Sequence, residues 1–187
     1  MTTRFNIQSK TQAALAVVAL LALPLAHAAP ISKDDYTAGK TRISDTYKAD
    51  KATCASFAAN ARDVCIEEGR AKEKVARAEL EYSYSAKASD QTKVLVAKAE
   101  SAYAVAKERC DDQAGNAKSV CVKEAKAVEV KAVADAKLVR KIGDAKTDAA
   151  TDKRDADYQV AAQKCDALTG AAQTNCMNAA KARFGKV

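Results

Sequence analysis

Residues 110–121 read CDDQAGNAKSVC, and this stretch decides how the chain folds. Ten residues separate its two cysteines, and Gly115 and Asn116 stand at its centre. Glycine readily takes the left-handed conformation that follows the last turn of a helix, and asparagine favours the N-cap of the next helix. We therefore interpret the stretch as the turn between two antiparallel helices, which brings Cys110 and Cys121 level for a disulfide bond.

The same pattern occurs three times along the chain. Each copy is a tyrosine, six residues, a cysteine, ten residues and a second cysteine, and the copies follow one another at 55 to 56 residues. They are Tyr47-Cys54-Cys65, Tyr103-Cys110-Cys121 and Tyr158-Cys165-Cys176, which together use all six cysteines. Gly170 takes the central position in the third copy, whereas the first copy has Ala59 and Asn60 there. A repeat of this length is typical of stacked helical arrays.

Two disulfide arrangements are compatible with this spacing. The glycine-centred turns favour local bridges, 54–65, 110–121 and 165–176, each of which closes one αα-hairpin. On an uninterrupted helix at about 100° per residue, however, the two cysteines of a copy lie on nearly the same face. They would then bridge to a different helix, as in twin Cys-x9-Cys helical hairpins. A local bridge should stabilise its hairpin by about 3 kcal/mol.

The first 28 residues have the features of an export signal. Arg4 and Lys10 precede an apolar run at 13–23, and Ala26 and Ala28 frame a cleavage site after Ala28. The run is about half of the ~20 residues that span a bilayer as a helix, so a retained anchor is the less favoured alternative. We expect a periplasmic protein whose cysteines are oxidised to disulfides.

The composition after this signal predicts an all-α fold. The 159 residues that follow contain 37 alanines and a single proline, Pro30. Alanine is the best helix former, but it buries little surface, so the helices need cross-links to be stable. The sequence therefore predicts three disulfide-stapled αα-hairpins with about six helices, arranged as a bundle or as an elongated coiled-coil-like array.

The expected boundaries follow breaks in the helical pattern. Ser-rich residues 82–90 (YSYSAKASD) separate the first two units, and Gly143 with Asp144 offers a helix stop and a new start. The predicted organisation is a signal peptide at 1–28 and helical hairpin repeats at 29–88, 89–143 and 144–187. Ser32 and Asp35 form a plausible capping box for the first helix.

Small and apolar residues at steps of three and four predict the seams between the helices. One seam is Val96, Ala99, Tyr103, Ala106 and Cys110, and the return arm carries Cys121, Ala125, Val128 and Ala132. Two turns before the first cysteine of each copy stand Tyr47, Tyr103 and Tyr158. We expect these three rings to pack beside the disulfides and to fill the gap between the arms.

Residue types argue against catalysis. The only histidine, His27, lies within the predicted signal, so the remaining chain lacks the commonest general base and metal ligand. No Cys-x-x-Cys occurs, and Asp111 and Asp112 are adjacent and diverge around a helix, unlike a general acid and base pair. We assign no catalytic, cofactor-binding or metal-binding residue and expect no enzymatic activity.

The net positive charge of the chain suggests an alternative to a purely structural role. The signal holds two basic and no acidic residues, so the remaining chain has 29 Lys and Arg against 24 Asp and Glu, a net charge of +5. Basic and acidic residues are interleaved, which is typical of a solvated helical face. Attraction to envelope polyanions is the functional alternative, with the basic tail 181–187 as its candidate site. Nucleic acid is not expected as a partner, because the positive charge is not gathered on one stripe.

Two resemblances add to this interpretation. The fullest repeat, Cys-Asp-x-x-x-Gly-x-Ala-x-x-x-Cys, is similar to that of small exported helical repeat proteins of Gram-negative bacteria, a likeness that implies no activity. Residues 122–137 (VKEAKAVEVKAVADAK) resemble in composition the rod segment of the envelope protein TolA. TolA-like proteins carry an N-terminal membrane anchor and a globular C-terminal domain, neither of which this sequence shows.

The sequence thus predicts a non-enzymatic periplasmic protein with a structural, interaction or envelope stress-protective role. The alternative is a binding module for anionic envelope components such as lipopolysaccharide, anionic lipid or peptidoglycan. The expected partner is a protein or one of these polyanions, with no membrane span after cleavage of the signal.

Overall fold

The computed structural model describes residues 30–186, and within this range the chain is all-α. The predicted signal peptide at 1–28 and its cleavage site lie outside the described residues. The helices are α1 Lys33–Thr53, α2 Ala59–Ser85, α3 Ala88–Cys110, α4 Gly115–Cys165 and α5 Gly170–Phe184, with a short 3-10 turn at Cys54–Ser56 after α1.

The helices form a single layer that follows the order of the chain. Helix α1 packs on α2, α2 on α3, and α3 on the first part of α4, while α5 packs on the last part of α4. Among residues 30–186, helices that are not consecutive do not come within 8 Å of each other between Cα atoms. Because no second layer covers them, most side chains of this alanine-rich meander stay partly exposed.

The three predicted local bridges are confirmed. They join Cys54 to Cys65, Cys110 to Cys121 and Cys165 to Cys176, with Cα–Cα distances of 5.6, 5.7 and 5.6 Å. The first cysteine of each pair is almost fully buried. Each bridge ties the end of one helix to the second turn of the next, so the alternative of bridges between different repeats is wrong.

The predicted glycines do adopt the left-handed conformation, but they lie at the start of the second helix and not at the end of the first. Gly115 and Gly170 have φ of +56° and +61°, and Ala59 takes the same conformation in the first turn. Helix α3 has already ended at Cys110, however, so Gly115 starts α4 instead of closing α3. The predicted Asn116 cap is wrong, because the extended residue before α4 is Ala114, whose side chain cannot accept a hydrogen bond.

The expected helix break at Gly143 is also wrong, so the described chain has five helices and not six. Helix α4 continues through Gly143, because one glycine costs only about 1 kcal/mol in a helix interior. The proposed boundary between the second and third repeats therefore falls inside a helix. All side chains from 138 to 150 are exposed, so no side chain in this part of α4 is buried against another helix.

Helix α3 has more buried residues than any other helix in the described range, and they form a seam on each of its sides. Ala99, Tyr103, Ala106 and Cys110 face α4 as predicted, and a second seam of Asp90, Val94, Ala97 and Ser101 faces α2. The predicted return seam is partly wrong, since Val128 is 65% exposed, whereas the Glu129 side chain is only 12% exposed. Helix α4 is rotated about its axis relative to the predicted seam. Glu129 therefore faces α3, and Val128 lies at the edge of the contact between the two helices.

Candidate functional site

A shallow groove of about 580 Å³ runs along the contact between α3 and α4. Its α3 bank includes Leu95, Ala99, Ala102 and Tyr103, and alanine and valine make up most of the α4 bank. The groove exists because the two helices meet through alanines, whose short side chains leave a furrow on the surface of the layer. It is therefore a direct consequence of the composition.

The α4 bank continues as a regular row of side chains. We call this row the α4 stripe; it consists of Ala125, Val128, Ala132, Asp135, Val139 and Ile142. Steps of three and four residues keep the row on one face of the helix, the pattern of a coiled-coil seam. Val128 and Val139 are 65% and 63% exposed, and Ile142 is also exposed. An apolar seam of this kind normally lies against another helix.

Most charged groups near the groove have a partner within the chain. Lys126 lies 4.7 Å above the ring of Tyr103 and donates to Glu129, and this hydrogen bond raises the pKa of Lys126. Asp135 differs, because within residues 30–186 neither it nor Lys131 one turn earlier has an ion-pair partner within 4 Å. The α4 stripe thus contains one exposed carboxylate with no intramolecular cation.

The opposite face of α3 carries a second groove, of about 700 Å³, which we call the basic groove. Its floor includes Val96 and Ala97, and its cationic residues are Lys74, Lys93, Lys137, Arg140 and Lys141. Three of these cations pair with acids: Lys74 with Glu100, Lys93 with Asp90 and Arg140 with Asp144. Within the described chain, Lys137 and Lys141 have no carboxylate within 4 Å.

The three predicted tyrosines lie between the arms of their hairpins and are half-buried. Tyr47 lies against Gly69 of α2, where a Cβ atom would stand 3.6 Å from the ring. Tyr103 meets Lys126, and Tyr158 packs edge-to-face on Phe184 with ring centroids 6.2 Å apart. They fill the gap between the arms, while direct contact with the disulfides stays a prediction.

A further pair of tyrosines packs at the open end of the first hairpin, where α1 begins and α2 ends. Tyr36 stacks on Tyr84 with ring centroids 4.6 Å apart and donates to Glu81. This hydrogen bond raises the pKa of Tyr36. The sequence analysis missed the pair because Tyr36 and Tyr84 lie outside the cysteine repeat and 48 positions apart.

Sequence reasoning also missed the distal half of the α4 stripe. The steps of three and four continue from Ala132 through Asp135 to Val139 and Ile142, so the signal was present. It was missed because Asp135 interrupts the apolar residues of the row. The basic tail, singled out for polyanion binding, is partly neutralised, because Lys186 pairs with Asp155 at 2.6 Å.

Within residues 30–186, no three His, Cys, Asp or Glu side chains are grouped as a metal site requires. None of the helices in that range has the length and apolar character needed to cross a bilayer. Comparisons of the chain with protein-family models, with curated proteins and with solved structures found no match.

Proposed function

We propose that this protein is a non-enzymatic interaction protein of the periplasm, and that the groove between α3 and α4 receives a protein partner. The observation that carries this proposal is the α4 stripe, in which Val128 and Val139 remain largely exposed at coiled-coil spacing. Apolar side chains aligned in this way favour a helix laid along them. The alanines of the opposite bank permit its close approach.

The disulfides support a scaffold role for the hairpins. The bridge between Cys110 and Cys121 fixes how α3 and α4 are aligned along their axes. Both banks of the groove are therefore in place before a partner binds. A preformed site loses less conformational entropy on binding than a flexible one. Because the alanine-rich contacts supply little burial, the bridge is the main constraint on this geometry.

Three disulfides also support the compartment. Such bridges form and persist in oxidising environments, of which the bacterial periplasm is one. The apolar run at 13–23 provides the means of export, with removal of residues 1–28 after Ala28.

Site-specific photo-crosslinking in exporting cells tests the proposal. A photoreactive amino acid at Val139, on the α4 stripe, should give a discrete protein adduct in high yield. The same amino acid at Val130, which is exposed on another face of α4, is the matched control and should give little. An absence of protein adducts at Val139, or equal adducts at both positions, would contradict the proposal.

The basic groove favours a second candidate function, the binding of anionic envelope components. Lys137 and Lys141 lie one turn apart without acidic partners among the described residues, beside an apolar floor that includes Val96 and Ala97. This combination suits an amphiphile that has a phosphate or carboxylate head. Such binding is largely electrostatic, so it should weaken steeply with salt.

Retention on immobilised lipopolysaccharide at low and high salt tests this second function. Binding that salt abolishes, and that Lys137→Glu with Lys141→Glu removes, supports it. Lys146→Glu with Lys153→Glu is the control, since it makes the same charge change on α4 outside the basic groove. No retention of the unmodified protein at low salt would contradict the function.

A further inference from the structure

We infer that the occupant of the groove between α3 and α4 is a second copy of this chain, whose own α4 stripe lies antiparallel in the groove. The inference deepens the proposed function, on which it rests, by naming the partner. Two copies related by a two-fold axis would each offer the same surface and receive the same surface. The single layer of helices would then gain a second layer over the groove between α3 and α4.

The spacing of the α4 stripe fits this arrangement at one register. In an antiparallel coiled coil, a residue at core position a of one helix faces a residue at core position d of the other helix. Ala125 then faces Ile142 of the second copy, Val128 faces Val139, and Ala132 faces Asp135, and each pair occurs twice. In this register each of the six residues of the α4 stripe faces a stripe residue of the second copy. In two of the three pairs, an alanine faces a larger residue.

Charge complementarity favours the antiparallel orientation. A parallel arrangement in register would place the two Asp135 carboxylates opposite each other in the seam, where like charges repel. In the antiparallel register Asp135 faces Ala132 of the second copy and lies within reach of the neighbouring Lys131. Since neither residue has an ion-pair partner within 4 Å among residues 30–186, the dimer would supply two reciprocal ion pairs.

Helix α3 completes the contact. Its bank presents Leu95, Ala99 and Ala102 to the incoming helix, and alanines at this contact permit an interaxial distance near ~8 Å. Residues 125–142 would extend over about 27 Å at 1.5 Å per residue, five helical turns. Two α3–α4 hairpins packed in this way form a four-helix bundle, and the basic groove on the opposite face stays free.

Sedimentation equilibrium of the exported, oxidised protein between 1 and 200 µM tests the inference. We expect a mass twice that of one chain, and a dissociation constant at least 100-fold weaker for Val128→Glu with Val139→Glu. The matched control, Val130→Glu, adds a charge at an exposed valine off the stripe and should leave the dimer intact. Because these side chains are mostly exposed in one chain, helix content and melting of the dissociated variant should report an intact fold.

A charge exchange tests the register. Lys131→Glu and Asp135→Lys should each weaken the dimer, and the two together should restore its dissociation constant to within a few-fold of the original. A monomer at 200 µM, or a dimer unaffected by Val128→Glu with Val139→Glu, would overturn the inference. If photo-crosslinking at Val139 gives an adduct with a different protein while the chain stays monomeric, the proposed function survives and this inference fails. An adduct of twice the chain mass supports both.

Discussion

Asn60 of α2 donates its side-chain amide to the backbone carbonyl of Glu108 in α3, 3.1 Å away. Glu108 lies in the last turn of α3, and its carbonyl also accepts the backbone N–H of Asp111. The Asn60 amide is therefore a second donor to this carbonyl, and it ties the turn of the first hairpin to the end of α3, next to Cys110. It adds a polar link between the first two hairpins, which also pack along the seam between α2 and α3.

Replacement of Asn60 by alanine should lower the free energy of unfolding by about 1 kcal/mol, because a partly buried hydrogen bond between α2 and α3 is lost. Asn116 is the equivalent residue of the second copy, but within residues 30–186 it caps no helix. Asn116→Ala is thus the matched control and should change stability little. Urea denaturation followed by circular dichroism measures both, and equal losses would contradict this account.

Ala59 carries a backbone conformation that glycine holds in the other two copies. Its φ of +49° places an alanine in the left-handed region, which costs an L-residue about 1–2 kcal/mol. Ala59→Gly should therefore raise the free energy of unfolding by about 0.5–1 kcal/mol after the entropy of glycine is counted. Gly115→Ala should lower it by a similar amount.

The control for this pair is Ala61→Gly, in the first turn of α2, which should destabilise because glycine is a poorer helix former than alanine. Chemical denaturation of the three variants is sufficient. If Ala59→Gly proves as destabilising as Ala61→Gly, the left-handed conformation at position 59 is wrong.

Local features of the fold were predictable because their causes lie within a dozen residues. The bridges, the left-handed Gly115 and Gly170, and the cap of α1, where Ser32 accepts from the Asp35 amide at 3.0 Å, all depend on short-range geometry. The repeat reinforced them by presenting the same evidence three times. In the same way, the 3/4 spacing identified the α3 seam that faces α4.

Longer-range features were not predictable from the same patterns. The seam of α3 toward α2 contains Asp90 and Ser101, so it does not stand out as apolar, although Asp90 is buried and pairs with Lys93. The rotation of α4 that exposes Val128 depends on how two alanine surfaces meet, and alanines differ too little to specify it. Gly143 was misjudged because a helix stop needs the left-handed conformation and not only a glycine.

Asp90 should make stability depend on pH. It pairs with Lys93 at 2.7 Å and accepts from Ser85 at 2.6 Å, and these contacts, Lys93 first, lower its pKa. A carboxyl whose pKa is lower in the folded state adds stability above the unfolded pKa of about 3.9, and this stability is lost as pH falls through the folded pKa. The melting temperature of the unmodified protein should therefore exceed that of Asp90→Asn most at pH 7, and the difference should shrink below about pH 4.

Asp148→Asn serves as the control in this titration, because Asp148 is exposed in the part of α4 where no side chain is buried. Its melting curve should follow that of the unmodified protein at every pH. A difference between the unmodified protein and Asp90→Asn that stays constant from pH 7 to pH 3 would show that the charge of Asp90 is not the cause.

The loss of each disulfide should have a different effect on the fold. Helix α5 has 15 residues and, within residues 30–186, packs on α4 alone. Isolated helices of this length are marginal in water. Replacing both Cys165 and Cys176 by serine should unfold α5 and leave the other helices in place, with the loss visible as rapid amide exchange from 170 to 184. The same change at Cys54 and Cys65 should lower stability by about 3 kcal/mol without unfolding α2, since α2 also packs on α3. Protected α5 amides in the first variant would refute this ranking.

Gly143 should mark the least stable part of α4. It lies between the region of α4 that packs on α3 and the region that packs on α5, and a Cβ atom there would have no neighbour within 4 Å. Gly143→Ala should therefore stabilise the helix by about 1 kcal/mol and slow amide exchange from 138 to 150 by roughly five-fold. Gly39→Ala is the matched comparison, because a Cβ at that helical glycine would come within 2.6 Å of a Leu80 methyl. Its gain in helix propensity should be offset by displacement of Leu80, so a larger stabilisation at position 39 than at 143 would contradict the packing of α1 on α2.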